Sequence, residues 1–342
     1  MDRTFQETCP ECVSVDRRDF VRTVALGGVA MGLAGNLLLP TAARAEIGPM
    51  PRVVNTVAED LVKELMAGLN DTQKKAVVKP WMDRRRKVVN PNRALDKTIG
   101  TVYTKAQQDL VLKVVKAIAA DEKAMHVISR AGTWDNSKTF ENCGADLFVD
   151  ESGKKFAFLF SGHHLTIRCD GDSEEGAAFG GPIYYGHTPN GYSDRNVFAY
   201  QTKEVARVFD ALDEKQRKLA LITKGTPGEG EKSVILTPKA ATRPGIAYKA
   251  LSNDQQELVD MVLKTILSPF RQQDGNEVVD IIKATGGMEK VHLAFYGEGH
   301  EGTETDNKQP WSFWRLEGPG MVWNFRVLPH VHTFVNISSK VG

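Results

Sequence analysis

The stretch FLFSGHHLTIRCDGD, residues 158–172, decides how the rest of the chain is read. Phe156, Phe158 and Phe160 alternate with smaller residues, and Leu165, Ile167 and Cys169 alternate with Thr166 and Arg168. A period of two marks β-strands. In one regular strand the adjacent His163 and His164 would point to opposite faces. The apolar parity, however, switches across Gly162-His163-His164, and a slip of one residue reverses the faces of a strand. A glycine inside a strand commonly marks a bulge or tight turn. The sequence therefore predicts a bend at Gly162, with both imidazoles free to turn the same way.

Working outward, the segments around this stretch recur later in the chain. LVKELMAGLNDTQKKAVV, from Leu61, resembles VARVFDALDEKQRKLALI, from Val205. Gln107-Gln108-Asp109-Leu110-Val111 resembles Gln255-Gln256-Glu257-Leu258-Val259, and Gly162 falls opposite Gly318. Ordered matches with small insertions are what a duplicated unit gives. Each unit opens with an amphipathic helix (Leu61, Leu65 and Leu69 in the first). A second helix carries Leu110, Val111, Val114, Val115 and Ile118 on one broad face. Thr104 marks its start, and Ser252 or Asn253 plays that part in the second unit. Strands follow in both. Helices followed by runs of strands predict an α+β fold with mostly antiparallel pairing. The expected organisation is two similar helix-helix-antiparallel-strand units, 46–200 and 201–342, forming one pseudo-symmetric body.

Four of the eight histidines lie in two tight groups, His163-His164 and His330-Val331-His332. Residues i and i+2 of a strand point the same way. His330 and His332 thus present two imidazoles on one face, a spacing suited to Zn, Cu or Fe as a divalent ion. If the two units fold against each other, His163 or His164 supplies a third ligand. The expected metal set is His163, His164, His330 and His332, with His163, His164 and Arg315 as catalytic candidates. Tyr185 and His187 lie in the loop-like GGPIYYGHTPNGYSD and are candidates for substrate contact, since loops carry binding groups disproportionately. No nucleophile elbow, Walker loop, dinucleotide fingerprint or H-E-x-x-H is present.

The N-terminus reads as a leader. Arg17-Arg18 precedes the apolar, glycine-interrupted TVALGGVAMGLAGNLLLP, which ends at Ala43-Arg44-Ala45, a small-x-small cleavage pattern. This predicts a twin-arginine export signal over 1–45, a partnership with that export machinery, and a periplasmic or secreted destination. Cys9 and Cys12 form a C-x-x-C inside the leader. Cys143 and Cys169 would remain after cleavage, either as a disulfide or as two buried thiols. The net charge is +1. Near-neutrality argues against a nucleic-acid or anionic-membrane partner. No later segment is apolar for long enough to insert stably in a bilayer.

These residues carry a family resemblance. Gly162-His163-His164-Leu165, then Arg315 with Gly318-Pro319, and finally His330-Val331-His332 are similar to the pattern of the domain of unknown function 3500 family, over about residues 57–337. The resemblance implies an exported protein without an established activity. It also implies an acidic residue on the strand after Gly-Pro, where this chain reads Met321-Val322-Trp323-Asn324, and Arg-Asp soon after H-x-H, where it reads Phe334-Val335-Asn336. Asn324 can coordinate or hydrogen-bond but cannot take up a proton. Two functional classes follow from the sequence. One is an exported metalloprotein, a hydrolase or oxidoreductase acting on a small molecule. The other is a metal-free binder of a small molecule or carbohydrate, with Trp311, Trp314 and Trp323 as platforms.

Overall fold

The computed structural model describes residues 57–90, 95, 97–237, 241–298 and 309–341. The paired arginines, the apolar run behind them, Cys9, Cys12 and His300 lie outside the described residues. Two helices begin where the sequence puts their starts, at Thr104 and at Ser252. The first group is α1 (Val57–Ala67), α2 (Asp71–Val77), α3 (Ile99–Val102), α4 (Lys105–Ile118) and α5 (Glu122–Ile128). The second group is α6 (Ala199–Ala211), α7 (Glu214–Ala220), α8 (Asn253–Leu267) and α9 (Gln272–Ala284). Thr104 and Ser252 cap α4 and α8 in capping boxes with Gln107 and Gln255. Asn70 and Asp213 do the same for α2 and α7 with Gln73 and Gln216. The N3 glutamines then reach one another. Gln73 donates to Gln107 at 2.7 Å, and Gln216 donates to Gln255 at 2.8 Å. Gln107 and Gln255 each donate at 2.8 Å to a carbonyl at the C-terminal end of the first helix of the preceding pair, Gly68 after α1 and Ala211 of α6.

The strands are β1 (Val78–Pro80), β2 (Gly144–Val149), β3 (Phe156–Gly162), β4 (Leu165–Cys169), β5 (Ile183–His187), β6 (Leu221–Ile222), β7 (Ile246–Ala247), β8 (His292–Tyr296), β9 (Phe313–Gly318), β10 (Met321–Arg326) and β11 (Val331–Ile337). They form one mixed sheet in the order β1-β2-β3-β4-β5-β11-β10-β9-β8-β6, with β7 beside β8. Read inward from either end, the order is the same: a parallel edge pair, then three antiparallel steps, meeting at the antiparallel β5–β11 pair. The protein is thus α+β, with a mixed sheet whose pairing is mostly antiparallel, as the sequence predicts.

The parity switch at Gly162 has a simple cause. β3 and β4 are a hairpin in which Gly162 faces Leu165, so His163 and His164 are the two turn residues. Phe160 pairs with Ile167 and Phe158 with Cys169. Cross-strand partners share a face, so both apolar sets pack together in the main core. The expected kink within one strand is therefore a strand reversal, and the apolar side never changes. His164, second in the turn, sits at φ +54.

Helices cover the face bearing Leu147, Phe158, Ile167, Trp323 and Phe295. The opposite face carries Arg168, Tyr184, His332, Arg326, Arg315 and Glu317 and is also buried. Two straps cover it. Residues 81–90 accept Arg168 on the Arg86 carbonyl at 3.1 Å, and residues 223–237 accept Arg315 on the Ser233 carbonyl and Asn336 on the Val234 carbonyl. Val89 and Val234 meet Tyr184, Val322 and Phe334 beneath these straps. Buried guanidinium groups need such partners, because leaving their donors unsatisfied is costly.

At the sheet centre Gly186 pairs with His332 and donates to the His164 carbonyl at 2.9 Å. A Cβ here would fall on the Val331 carbonyl oxygen and lie 3.4 Å from the His164 Cβ. Gly186→Ala is expected to lower stability by about 1–3 kcal/mol through overpacking, read as a reduced melting temperature. An unchanged melting temperature would show that this seam does not set the hairpin's position.

Candidate metal centre

Three imidazoles meet where the β3–β4 turn, the β10–β11 turn and β11 come together. His164 comes from the first turn, His330 from the second, and His332 from the second position of β11. His330 Nε2 lies 2.8 Å from His332 Nε2, which lies 3.0 Å from His164 Nε2. All three residues are buried. Two atoms bound to one ion at about 2.0–2.1 Å stand about 2.9–3.4 Å apart for angles between 90° and 109°. The observed separations match the narrow end of that range.

The outer nitrogens are fixed by carboxylates. His164 Nδ1 is 2.9 Å from Asp135 Oδ2, and His332 Nδ1 is 2.9 Å from Glu229 Oε1. A carboxylate accepts from an imidazole N–H, so both rings carry their proton on Nδ1. Their Nε2 atoms are then lone pairs facing each other. Protonation does not resolve the conflict, because burial pushes His164 down to about 3 and His332 well below the usual value. His330 is also held at about 3, by burial and by the neighbouring Arg326. His330 Nε2 accepts from Arg326 Nη2 at 3.3 Å, and a cation between the rings would satisfy the facing His164 and His332 nitrogens. In metal sites, carboxylates on the outer nitrogens of ligand histidines hold those rings in place.

The supports are themselves anchored. Arg326 binds Glu229 at 2.9 Å and donates to the His330 carbonyl at 3.1 Å. Burial raises the Glu229 carboxyl, and the Arg326 guanidinium opposes that rise. The fully buried Arg130 donates to the carbonyls of Gly186, at 2.9 Å, and of His164 and Ile128. Asp135 follows Arg130 on a segment where Arg130, Ala131, Trp134, Asp135 and Lys138 all take positive φ. Left-handed backbone at non-glycine residues costs about 1–3 kcal/mol each and persists where surroundings enforce it. Burial alone would raise Asp135, but the neighbouring His163 ring and the hydrogen bond from His164 hold its carboxyl well below the usual range.

A family model described as a protein of unknown function, DUF3500, matches residues 52–338. The chain belongs to the DUF3500 family. No curated protein and no solved structure matches it. Of the motifs by which the DUF3500 resemblance was drawn, G-H-H-L and H-x-H are brought together at this centre. The third is placed apart: Arg315 stands on β9, with β10 between it and β11, bound to Glu317 at 2.7 Å and to the Ser233 carbonyl. Asn324, where the resemblance implies an acid, is fully buried and donates to the Gly228 carbonyl at 3.0 Å.

The remaining candidates are dispersed. The His163 ring lies beside His164, centroids 3.9 Å apart, and turns its Nδ1 toward Asp135 rather than toward His330. Tyr185 is on the helix-covered face, donating to Gln201 at 2.7 Å. His187 ends β5 and accepts from the Val197 amide at 3.3 Å. Trp311, Trp314 and Trp323 are fully buried. Cys143 and Cys169 are free, buried thiols. Sequence reasoning missed Asp135, Glu229, Arg130 and Arg326. Of these only Glu229 carried a cue, a lone acid within the glycine-rich Gly225–Gly230 run.

Removing an outer carboxylate that orients a ligand typically costs about 10–100-fold in metal affinity. Glu229→Ala is expected to weaken zinc or copper binding by that factor in a calorimetric titration of the untagged chain. Equal affinity in the variant would show that His332 needs no outer partner.

Proposed function

We propose that this chain is an exported metalloprotein whose divalent transition metal is held by Nε2 of His164, His330 and His332. The observation that carries the reading is the His164–His332 contact, where two buried lone pairs face each other at 3.0 Å while both protons are committed to carboxylates. Such an arrangement is repulsive when empty and favourable around a cation. Three imidazoles suit Zn, Cu or Fe. Three protein ligands leave a position open, which is the form of catalytic rather than structural zinc sites.

An open position supports metal-dependent hydrolysis or oxidoreduction on a small molecule. A bound divalent ion supplies Lewis acidity and a lowered pKa for coordinated water. The chain's own residues supply the geometry: Asp135 and Glu229 set the two tautomers, Arg326 holds Glu229, and Arg130 fixes the turn that bears His164. Export rests on the twin-arginine pattern and cleavage site in residues 1–45. A duplicated origin is supported by the paired glutamine clasps and by the strand order that repeats from each edge of the sheet. In that reading His164 comes from the first unit and His330 and His332 from the second, so the ion joins the two.

Elemental analysis of the untagged chain in a Cys9→Ser/Cys12→Ser background tests the site. The background removes the separate C-x-x-C. Bound zinc, copper or iron is expected, with loss of the triad ion in His330→Ala/His332→Ala. Because binding to the native state stabilises it by mass action, chelation is expected to lower the melting temperature of the parent by more than that of the double variant. A metal content near zero after incubation with all three salts would remove the proposal.

A further inference from the structure

His164 has two faces, and only one is used by the triad. Its Nδ1 side looks into a second group, Asp135–His163–His164, whose ligand atoms all lie within 4.8 Å of one another. Asp135 spreads its two oxygens over the two rings, Oδ2 at 2.9 Å from His164 Nδ1 and Oδ1 at 3.7 Å from His163 Nδ1. The 2.9 Å separation again equals that of two neighbouring ligands on one ion with bonds of about 2.0–2.1 Å. One member of the group, His163, borders a cavity. His163, Ser137 and Asn136 line a cavity of about 200 Å³ that also takes in Asn142, Ser161 and Lys97. The His163 side chain is 19 % exposed, while that of His164 is 3 % exposed. The His163 backbone is pinned independently of its ring, its amide donating to Ser137 Oγ at 2.7 Å.

We propose that Asp135, His163 and His164 form a second divalent-cation site, and that His164 bridges it to the triad site through its two ring nitrogens. The proposal rests on the triad reading for the bridge, but not for the second ion itself. The proton balance is explicit. With only the triad occupied, His164 is a neutral imidazole that keeps its Nδ1 proton and donates it in a hydrogen bond to the Asp135 carboxylate. When the second ion enters from the cavity, it takes the Nδ1 lone pair and the proton leaves to solvent, so that His164 becomes an imidazolate between two cations. Asp135 and His163 then complete the protein ligands on the outer ion, and the cavity supplies its open positions. The outer ion faces a polar chamber of small-molecule size, whereas the triad ion lies deeper, next to Tyr184, whose ring centroid is 5.7 Å from that of His332. The substrate class that fits this chamber is a small polar molecule bound directly to the outer ion.

Copper titration followed by paramagnetic resonance tests this, again on the full, untagged Cys9→Ser/Cys12→Ser chain. The parent is expected to bind two Cu²⁺ per chain and release a proton with the second. An imidazolate bridge couples the two spins, so the integrated signal should rise to one spin per chain and then fall as the second equivalent is added. His163→Ala, a partly exposed substitution, should bind one ion with full spin intensity, and Asp135→Asn should weaken the second ion at least tenfold. Saturation of the parent at one ion overturns the proposal, as does a second ion retained with the same affinity in His163→Ala. Two ions with a full two-spin signal overturn the bridge. If instead His330→Ala/His332→Ala binds as many ions as the parent, the triad reading fails while the outer site stands.

Discussion

Two nitrogen lone pairs brought to 3.0 Å in the interior are the constraint around which this structure is organised. Neutral imidazoles normally avoid such a contact, because one ring rotates or changes tautomer to donate. Here neither can. Asp135 holds one ring and Glu229 the other, and each carboxylate has its own anchor in strained backbone or in Arg326. Burial removes the remaining escape, since it disfavours the imidazolium. The geometry thus stores an unsatisfied electrostatic requirement at the seam between β5 and β11.

The fold explains why that seam is available. Turns at one end of the central strands bring residues far apart in sequence into contact: 164 with 332, 135 with 164, and 229 with 332. Gly186, lacking a side chain, lets the β3–β4 turn lie against β11. The two straps keep the polar face of the sheet dry, so that Arg168, Arg315 and Arg326 find carbonyls or carboxylates instead of water. A low local dielectric makes each of those contacts stronger and each omission costlier.

Much of this was legible in the chain itself. Capping chemistry is local, so Thr104 and Ser252 marked their helices. Strand periodicity is local too, and the G-H-H and H-x-H groups announced themselves by density. The turn at Gly162 was half legible: the parity switch was visible, but periodicity alone does not distinguish a bend from a two-residue reversal. The helix-covered and strap-covered faces were not separable, because buried arginines on a covered face alternate just as solvent-facing ones would. Asp135 and Glu229 were hidden for a different reason. Each lies in a polar loop, 29 and 103 residues from the histidine it serves, and only the tertiary fold gives it meaning.

The most direct test of the central claim is anomalous diffraction from crystals of the protein grown with zinc or copper and collected on both sides of the metal edge. A peak centred among His164, His330 and His332, about 2.0–2.1 Å from each Nε2, is the expected result, with the His332 Nδ1 contact to Glu229 preserved. A map with no anomalous peak there, and with one ring turned so that its Nε2 donates to its neighbour, would contradict the account.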